Sequence, residues 1–380
     1  MMPQGFETTE FKARLTGAQS RMNAADLDAI LLTTEPDIRY FTGYLTRFWE
    51  SPCRPWFLVL PRSGDPIAVI PSIGAALMAR TWITDIRTWR APDLEDDGIS
   101  LLAETLRDLG PRIGTPSGLQ SHLRMPLGDF ARLNAALPQP IGADADILRS
   151  LRLVKSEAEI EKIKTACQIA TRAFDRVPEI ARIGQPLAPV FRDFQRLCLD
   201  EGADWVPYLA GAAAPGGYGD VISPADDRPL EAGDVLMLDT GLVHDGYFCD
   251  FDRNFSVGSP SPDVAAGHSR LIEATYAAFE AARPGATAAE LFHVMDKIVT
   301  GGAGGSEAGR YGHGLGMNLT EWPSLIPTDH TPLVEGMVLT LEPGIELAPG
   351  RALVHEENIV IRENGAEWLS QPYGAEMIRV

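Results

Sequence analysis

A chain of 380 residues with 45% apolar and 22% charged side chains is long enough for two domains that each bury a core. Its formal charge of −19 disfavours nucleic acid and anionic membrane as partners, and no apolar run is long enough to span a bilayer. The start, MMPQGFETTEFKARL, has no signal-like apolar stretch, and four scattered cysteines without CxxC pairing suit reduced thiols, so a cytoplasmic setting is expected.

LDAILL (27–32), PWFLVL (55–60) and PIAVIP (66–71) are short apolar runs bounded by turn residues and predict strands. GISLLAETLRDLG (98–110) predicts a helix, and ALPQPIGADAD (136–146) approaches a boundary. Residues 1–150 therefore read as an α/β domain and residues 151–380 as a second domain. Ser156 and Glu159 form a capping pattern ahead of Ile160, Ile163, Cys167, Ala170 and Phe174 at helical spacing. Helices near 186–201 and 262–282 then alternate with strands at 234–240, 246–257, 336–342 and 352–362, an α+β pattern. GAAAPGGYG (211–219) and TGGAGGSEAG (300–309) read as flexible tracts.

Two segments repeat one idea. LEAGDVLMLDTG (230–241) and LVEGMVLTLEPG (333–344) share Leu, Gly, Val, Leu, Leu and Gly at matching offsets, with Asp239 standing over Glu342. This points to an internally duplicated domain. A turn at VHDG (243–246) predicts Asp239 opposite Asp250, and a type II turn at Pro349-Gly350 predicts Glu342 opposite Glu357. Each hairpin then sets two carboxylates about 4.5–5.5 Å apart. Such pairs repel in an apolar sheet, and a held proton or a shared cation relieves them. Two divalent cations would neutralise the set. His313, in YGHGLGMNLTEWPS (311–324), is the candidate nitrogen ligand, its glycine neighbours allowing close approach. Alone it reads equally as a satisfied histidine in a glycine-rich turn; the joint spacing with four carboxylates favours the metal.

The string LDTG…CDFDRNF…HGLG…LEPG…HEEN resembles the metal-binding signature of the pita-bread metallohydrolases, which include prolidase, aminopeptidase P, methionine aminopeptidase and creatinase. LDAILLTTEPDIRYFTGY (27–44) is similar to the opening of the creatinase and prolidase N-terminal domain. LRLVKSEAEIEKIKTACQIA (151–170) resembles the helix that opens their catalytic domain. The resemblance spans nearly the whole chain and favours the two-domain branch. It implies a creatinase-like α/β domain followed by a pita-bread α+β catalytic domain. It also implies two divalent cations (manganese, cobalt, iron or zinc) on Asp239, Asp250, His313, Glu342 and Glu357, with Glu342 relaying a proton. A homodimer is implied too, with Arg47, Trp49 and Arg54 of the 44–57 loop binding a substrate carboxylate at the partner's site.

The chain departs from the peptidases of that family at two histidines. The second histidine of HGxGxxxHE is replaced by Thr320, and the upstream histidine's place falls on Ile222. Thr320 can donate a hydrogen bond but cannot shuttle a proton at neutral pH. Candidate substitutes are His355, expected to share a strand face with Glu357, and Tyr218 and Asp220 near the missing upstream group. Asp252 replaces the threonine of DxTRT, either as a sixth oxygen ligand or paired with Arg253 or another cation. Trp322 is either a wall of the substrate pocket or a core aromatic. Three readings follow: a Xaa-Pro dipeptidase-like hydrolase cleaving a C–N amide bond in a dipeptide or other small molecule; a non-peptidase of the same fold, akin to creatinase, ectoine hydrolase or the lyase acting on dimethylsulfoniopropionate; or an inactive binding domain. Five intact ligands weigh against the last.

Overall fold

Apolar strands flanked by amphipathic helices dictate what the computed structural model describes over residues 5–51, 55–304 and 309–380. The chain divides into two compact units, Met1–Arg152 and Leu153–Val380.

In the first unit, strands β1 (Ala29–Leu32), β2 (Phe57–Pro61), β3 (Ile67–Pro71), β4 (Asp85–Trp89), β5 (Ile113–Thr115) and β6 (Gly142–Ala143) form one sheet in the order β4-β3-β2-β1-β5-β6. Only β1–β2 and β2–β3 are antiparallel. Helices α1 (Thr8–Ala24), α2 (Glu35–Thr42), α3 (Ala75–Met78), α4 (Ile99–Leu109), α5 (Leu127–Ala136) and α6 (Ile147–Leu153) complete it. One core layer joins Leu31, Phe57, Val59 and Val69 to Leu102 and Leu106 on the apolar stripe of α4.

The loop expected to face substrate is partly core. Trp49 is buried, with its ring centroid 5.7 Å from that of Trp56, and the Arg124 guanidinium lies 5.0 Å over it. A buried indole packed against an indole and a guanidinium of its own unit supports that unit's packing. Arg47 is exposed, whereas Cys53 and Arg54 lie outside the described residues.

The second unit opens with α7 (Glu157–Asp175), whose Ser156 and Glu159 form the expected reciprocal capping box. α8 (Val177–Ile180) and α9 (Leu187–Asp200) follow. A sheet of β7 (Trp205–Pro215), β8 (Asp234–His244), β9 (Tyr247–Phe248) and β10 (Phe251–Ser256) comes next, then helices α10 (Pro262–Ala281) and α11 (Ala288–Val299). A second sheet is built from β11 (His313–Gly314), β12 (Glu321–Ser324) and β13 (Val338–Leu341). Past the small hairpin of β14 (Gly344–Ala348) and β15 (Arg351–Val354), this sheet gains β16 (Glu357–Arg362) and β17 (Gly365–Trp368). β18 (Ile378–Arg379) returns to β10.

The tract at 211–219 is not the flexible piece it resembles. Its first half is the end of β7, paired with β8 as far as Pro215↔Asp234. A Cβ on Gly211, where φ is +146°, would lie 2.1 Å from the Met237 carbonyl oxygen. The small residues here answer to close strand approach.

Both hairpin registers differ from expectation, in ways that matter for the site. The first turns at Asp245-Gly246, with φ of 45° and 82°, the residue pair and backbone that a two-residue hairpin favours. The turn lies one residue later than expected, so Asp239 pairs with Asp252 and not with Asp250. A two-residue shift preserves the face, and Asp250 remains a diagonal neighbour of Asp239.

The second hairpin does turn at Pro349-Gly350, with Ala348 opposite Arg351. An irregularity between Glu346 and Ala348 then shifts the register by one, and Leu341 stands opposite Glu357. Continuing that register brings Glu342 level with Glu356. A one-residue slip reverses every side chain, so Glu356, not the expected Glu357, shares the face of Glu342.

Candidate metal centre

His313 is fixed before any ion is considered. Its Nδ1 donates to the Gly314 carbonyl at 2.8 Å, which leaves Nε2 as the lone-pair nitrogen facing Asp250 Oδ2 at 3.4 Å. Its backbone N–H donates to Thr340 Oγ at 3.1 Å, tying it to β13. The flanking glycines serve this backbone packing. A Cβ on Gly312 (φ +134°) would meet the Thr340 carbonyl oxygen at 2.2 Å, and one on Gly314 the Trp322 carbonyl oxygen at 2.3 Å.

Around that nitrogen the two hairpins gather carboxylates. Ligand atoms of Asp250, His313 and Glu356 all lie within 4.8 Å of one another, and all three residues are buried. Asp239 Oδ1, Asp250 Oδ1 and Glu356 Oε1 are buried oxygens without a hydrogen-bond partner. Burial, followed by Asp250, Asp252 and Glu342, pushes the Asp239 carboxyl well above the usual carboxylate range. Burial, followed by Asp250, Glu342 and Asp239, does the same to Glu356. Burial lifts Glu342 to about 7, with His313 easing part of the rise. Buried carboxylates with unpartnered oxygens beside an imidazole lone pair are a donor set that fits divalent cations of the borderline, nitrogen- and oxygen-binding kind.

Glu357 belongs to a different network. Its Oε2 accepts from Arg253 Nη2 at 3.1 Å and from the Ser370 hydroxyl, and its Oε1 accepts from the Tyr373 N–H at 2.8 Å. Although burial opposes it, Arg253 and then His355 hold this carboxyl below its ordinary value. His355 lies on the same face as Glu357, as strand alternation predicts, and therefore points away from Glu356. Its ring nitrogens stand 3.6 Å from Asp252 and 3.4 Å from Glu357. Burial disfavours charge on His355, but these two carboxylates together raise its pKa. It is a buried counter-charge and not a substitute for a substrate-facing imidazole. Asp252 finds its cation in His355, and its Oδ1 accepts the Glu356 N–H at 3.2 Å.

Two more candidates move out of the site. Tyr218 is 2% exposed, and its hydroxyl donates to Asn254 Oδ1 and accepts the Val354 N–H at 2.7 Å, which makes it a strut between hairpins. Ile222 is 86% exposed, and Asp220 is engaged with Ser223 and the local backbone. Thr320 and Trp322 remain half-buried on the segment after His313, where Thr320 Oγ accepts from Arg310 Nη2 at 3.4 Å. The buried Lys155–Glu321 pair, 3.1 Å apart, anchors this segment, with Glu321 also taking the Asn318 N–H at 3.1 Å.

Two residues that sequence reasoning missed support the cluster. The Tyr208 hydroxyl donates to Asp239 Oδ2 at 2.9 Å across a strand pair in which Tyr208 faces Gly241. Asn358 accepts the Asp250 N–H at 3.0 Å and donates back to the Asp250 carbonyl, clamping β16 to the start of β10.

The model for metallopeptidase family M24 matches residues 161–363, and that for the creatinase/prolidase N-terminal domain matches residues 14–154. The chain belongs to metallopeptidase family M24. It is a metallohydrolase of the prolidase and aminopeptidase P type. Among family M24 relatives, the probable dipeptidase PepE of Mycobacterium tuberculosis is 31% identical over 95% of this chain and 94% of its own length. The Xaa-Pro dipeptidase of Pyrococcus horikoshii is 27% identical over 92% and 94%. The crystal structure of dipeptidase PepE from Mycobacterium ulcerans superposes with a TM-score of 0.83 at 31% identity, covering 99% of each chain. That of the X-Pro aminopeptidase from Thermotoga maritima gives 0.82 at 25%, covering 96% of this chain and 99% of its own. No helix among the described residues is long and apolar enough to cross a membrane.

The electrostatics predict a pH signature. A carboxyl whose folded pKa exceeds its unfolded value keeps a proton that the unfolded chain has already lost, so stability falls as pH rises between the two values. For Glu342 that window runs from 4.5 to about 7, and Asp239 and Glu356 contribute with the same sign. Chelator-stripped protein should therefore lose melting temperature as pH is raised through this window, while metal-replete protein should not. Parallel profiles for the two forms in scanning calorimetry would refute the cluster's electrostatics.

Proposed function

We propose that this chain holds two divalent cations, drawn from manganese, cobalt, iron or zinc, on Asp239, Asp250, His313, Glu342 and Glu356, and hydrolyses the amide bond of Xaa-Pro-type dipeptides. The observation that carries the reading is the buried cluster of Asp250, His313 and Glu356, in which Asp250 and Glu356 each keep a carboxylate oxygen without a hydrogen-bond partner. The names of the PepE and Xaa-Pro dipeptidase relatives support the substrate class. Cations in this centre would polarise the scissile carbonyl and acidify the attacking water. The chain's own residues do the remaining work. Glu342 accepts the water's proton and returns it to the departing amine. Tyr208 orients Asp239, Asn358 positions Asp250, and the Lys155–Glu321 pair holds the segment carrying Thr320.

Thr320 in place of a histidine, and the exposure of Ile222, favour a second reading: a non-peptidase of the same fold acting on another small C–N compound. A panel of Ala-Pro, Gly-Pro, creatine and ectoine separates the two. Metal-replete protein should cleave the dipeptides, and EDTA should abolish that turnover. Turnover of creatine or ectoine with the dipeptides untouched would overturn the dipeptide assignment. We further propose a cytoplasmic homodimer. Buried free thiols at Cys167, Cys198 and Cys249 support the compartment, and the two-domain branch supports the dimer. A monomer in light scattering at micromolar concentration would sink the dimer, and periplasmic or secreted protein on fractionation the compartment.

A further inference from the structure

The second unit is rich in carboxylates, and its buried and half-buried cations are mostly engaged. Arg253 is held by Glu357 and the Gln371 carbonyl, Lys155 by Glu321, and Lys162 by Asp245. Arg310 differs. It lies three residues before His313 and is half-buried. Among the described residues, its one hydrogen bond is the long 3.4 Å donation from Nη2 to Thr320 Oγ. A guanidinium has five N–H donors in a planar fork, so most of this one's capacity is open.

Its place is set by the backbone. The adjacent Tyr311 accepts the Glu342 N–H at 2.9 Å and donates its own N–H to the Leu325 carbonyl at 2.9 Å, which brings residue 310 alongside the β13 end that carries Glu342. The residue is thus a cation beside the strand end that carries Glu342, within hydrogen-bond reach of Thr320, on the segment that leads through His313 to Trp322.

We propose that Arg310, with the Thr320 hydroxyl as a second donor, binds the free carboxylate of the substrate. This rests on the dipeptidase reading and adds to it. The cations of the proposed centre would be matched by Asp239, Asp250, Glu342 and Glu356, so a substrate carboxylate away from the scissile bond needs a cation of its own. A bidentate arginine supplies that charge and fixes the end of the molecule remote from the scissile bond. It gives Thr320 a role that histidine could not fill as well. A hydroxyl both accepts from the guanidinium and donates to a carboxylate, whereas a protonated imidazole would repel the neighbouring cation.

The test uses the full metal-replete chain and two matched probe pairs, L-proline with L-prolinamide and Ala-Pro with its C-terminal amide. Binding of the first pair is followed by calorimetry and cleavage of the second by kinetics. Wild-type protein should prefer the carboxylate member by about 10- to 100-fold, the range of a charged hydrogen-bonded contact. Arg310→Met should erase the preference, with the loss in KM, and Arg310→Lys should keep part of it. Unchanged metal content and melting temperature in both variants would show the effect to be local. A preference that survives in Arg310→Met, or its absence in wild-type protein, overturns the assignment. Should proline bind through its carboxylate while Ala-Pro is not cleaved, the dipeptidase reading falls and the anion site stands. Should Ala-Pro and its amide be cleaved alike, the anion site falls and the dipeptidase reading stands.

Discussion

Glu356→Gln is expected to cost the protein bound metal and about 10³-fold or more in kcat/KM, the scale on which a preorganised electrostatic group acts at a reaction centre. Glu356 shares the cluster of Asp250 and His313, and its Oε1 is one of the unpartnered buried oxygens. An amide is nearly the same shape but has one neutral oxygen where an anionic donor is needed, so cation affinity falls while the backbone stays in place. The metal-free variant carries a control in its stability. Burial and like charges already strain the carboxylates of the stripped centre, so removing one should leave the metal-free melting temperature level or higher at neutral pH. Plasma emission spectrometry of dialysed protein measures the metal. A variant that keeps full metal content and turnover would show that Glu356 is not a ligand.

Why the sequence pointed one residue away is a question of register. The turn residues locate the first hairpin to within one residue, and the type II turn at Pro349-Gly350 is where they place it. What the residues do not announce is the irregularity between Glu346 and Ala348, which is a compromise between a twisted hairpin and the strands on either side. In HEEN, two adjacent glutamates face opposite ways, and one inserted position decides which of them meets Glu342. The first hairpin erred by two positions, and the candidate Asp250 survived because face is conserved at that spacing.

The misplaced substrate residues fail for another reason. Tyr218 is sequestered by Val354, 136 residues away, and no local pattern reports such a partner. Trp49 is given a substrate role only by the resemblance, on an Arg- and Trp-rich loop, yet the unit's core closes over it through Trp56 and Arg124. Tyr208 was missed because the glycine- and alanine-rich end of its strand reads as mobile. The signal that could have found it is a hydroxyl-bearing aromatic on a strand next to the one carrying Asp239, opposite a glycine that leaves it room.

Glu357→Gln is expected to do the reverse of Glu356→Gln: retain metal and lose stability. The Glu357 carboxylate is the shared anion between Arg253 and His355, and it takes hydrogen bonds from Arg253, Ser370 and the Tyr373 backbone. Making it neutral leaves a buried guanidinium without its counter-ion. Breaking a buried pair on one side costs about 3–5 kcal/mol, because the remaining charge stays desolvated. For a unit of this size the melting temperature should fall by roughly 10 °C. The pH dependence is a second readout with a fixed sign. Since the folded pKa of Glu357 lies below its ordinary 4.5, its contribution is fully present above that value and is lost as pH falls through the folded value. The gap between wild-type and variant should therefore be full at neutral pH and close in acid. Thermal melts of the metal-replete proteins across this range decide the matter. Equal stability at neutral pH, or loss of bound metal from the Glu357 variant with stability intact, would return Glu357 to the metal centre and displace Glu356 from it.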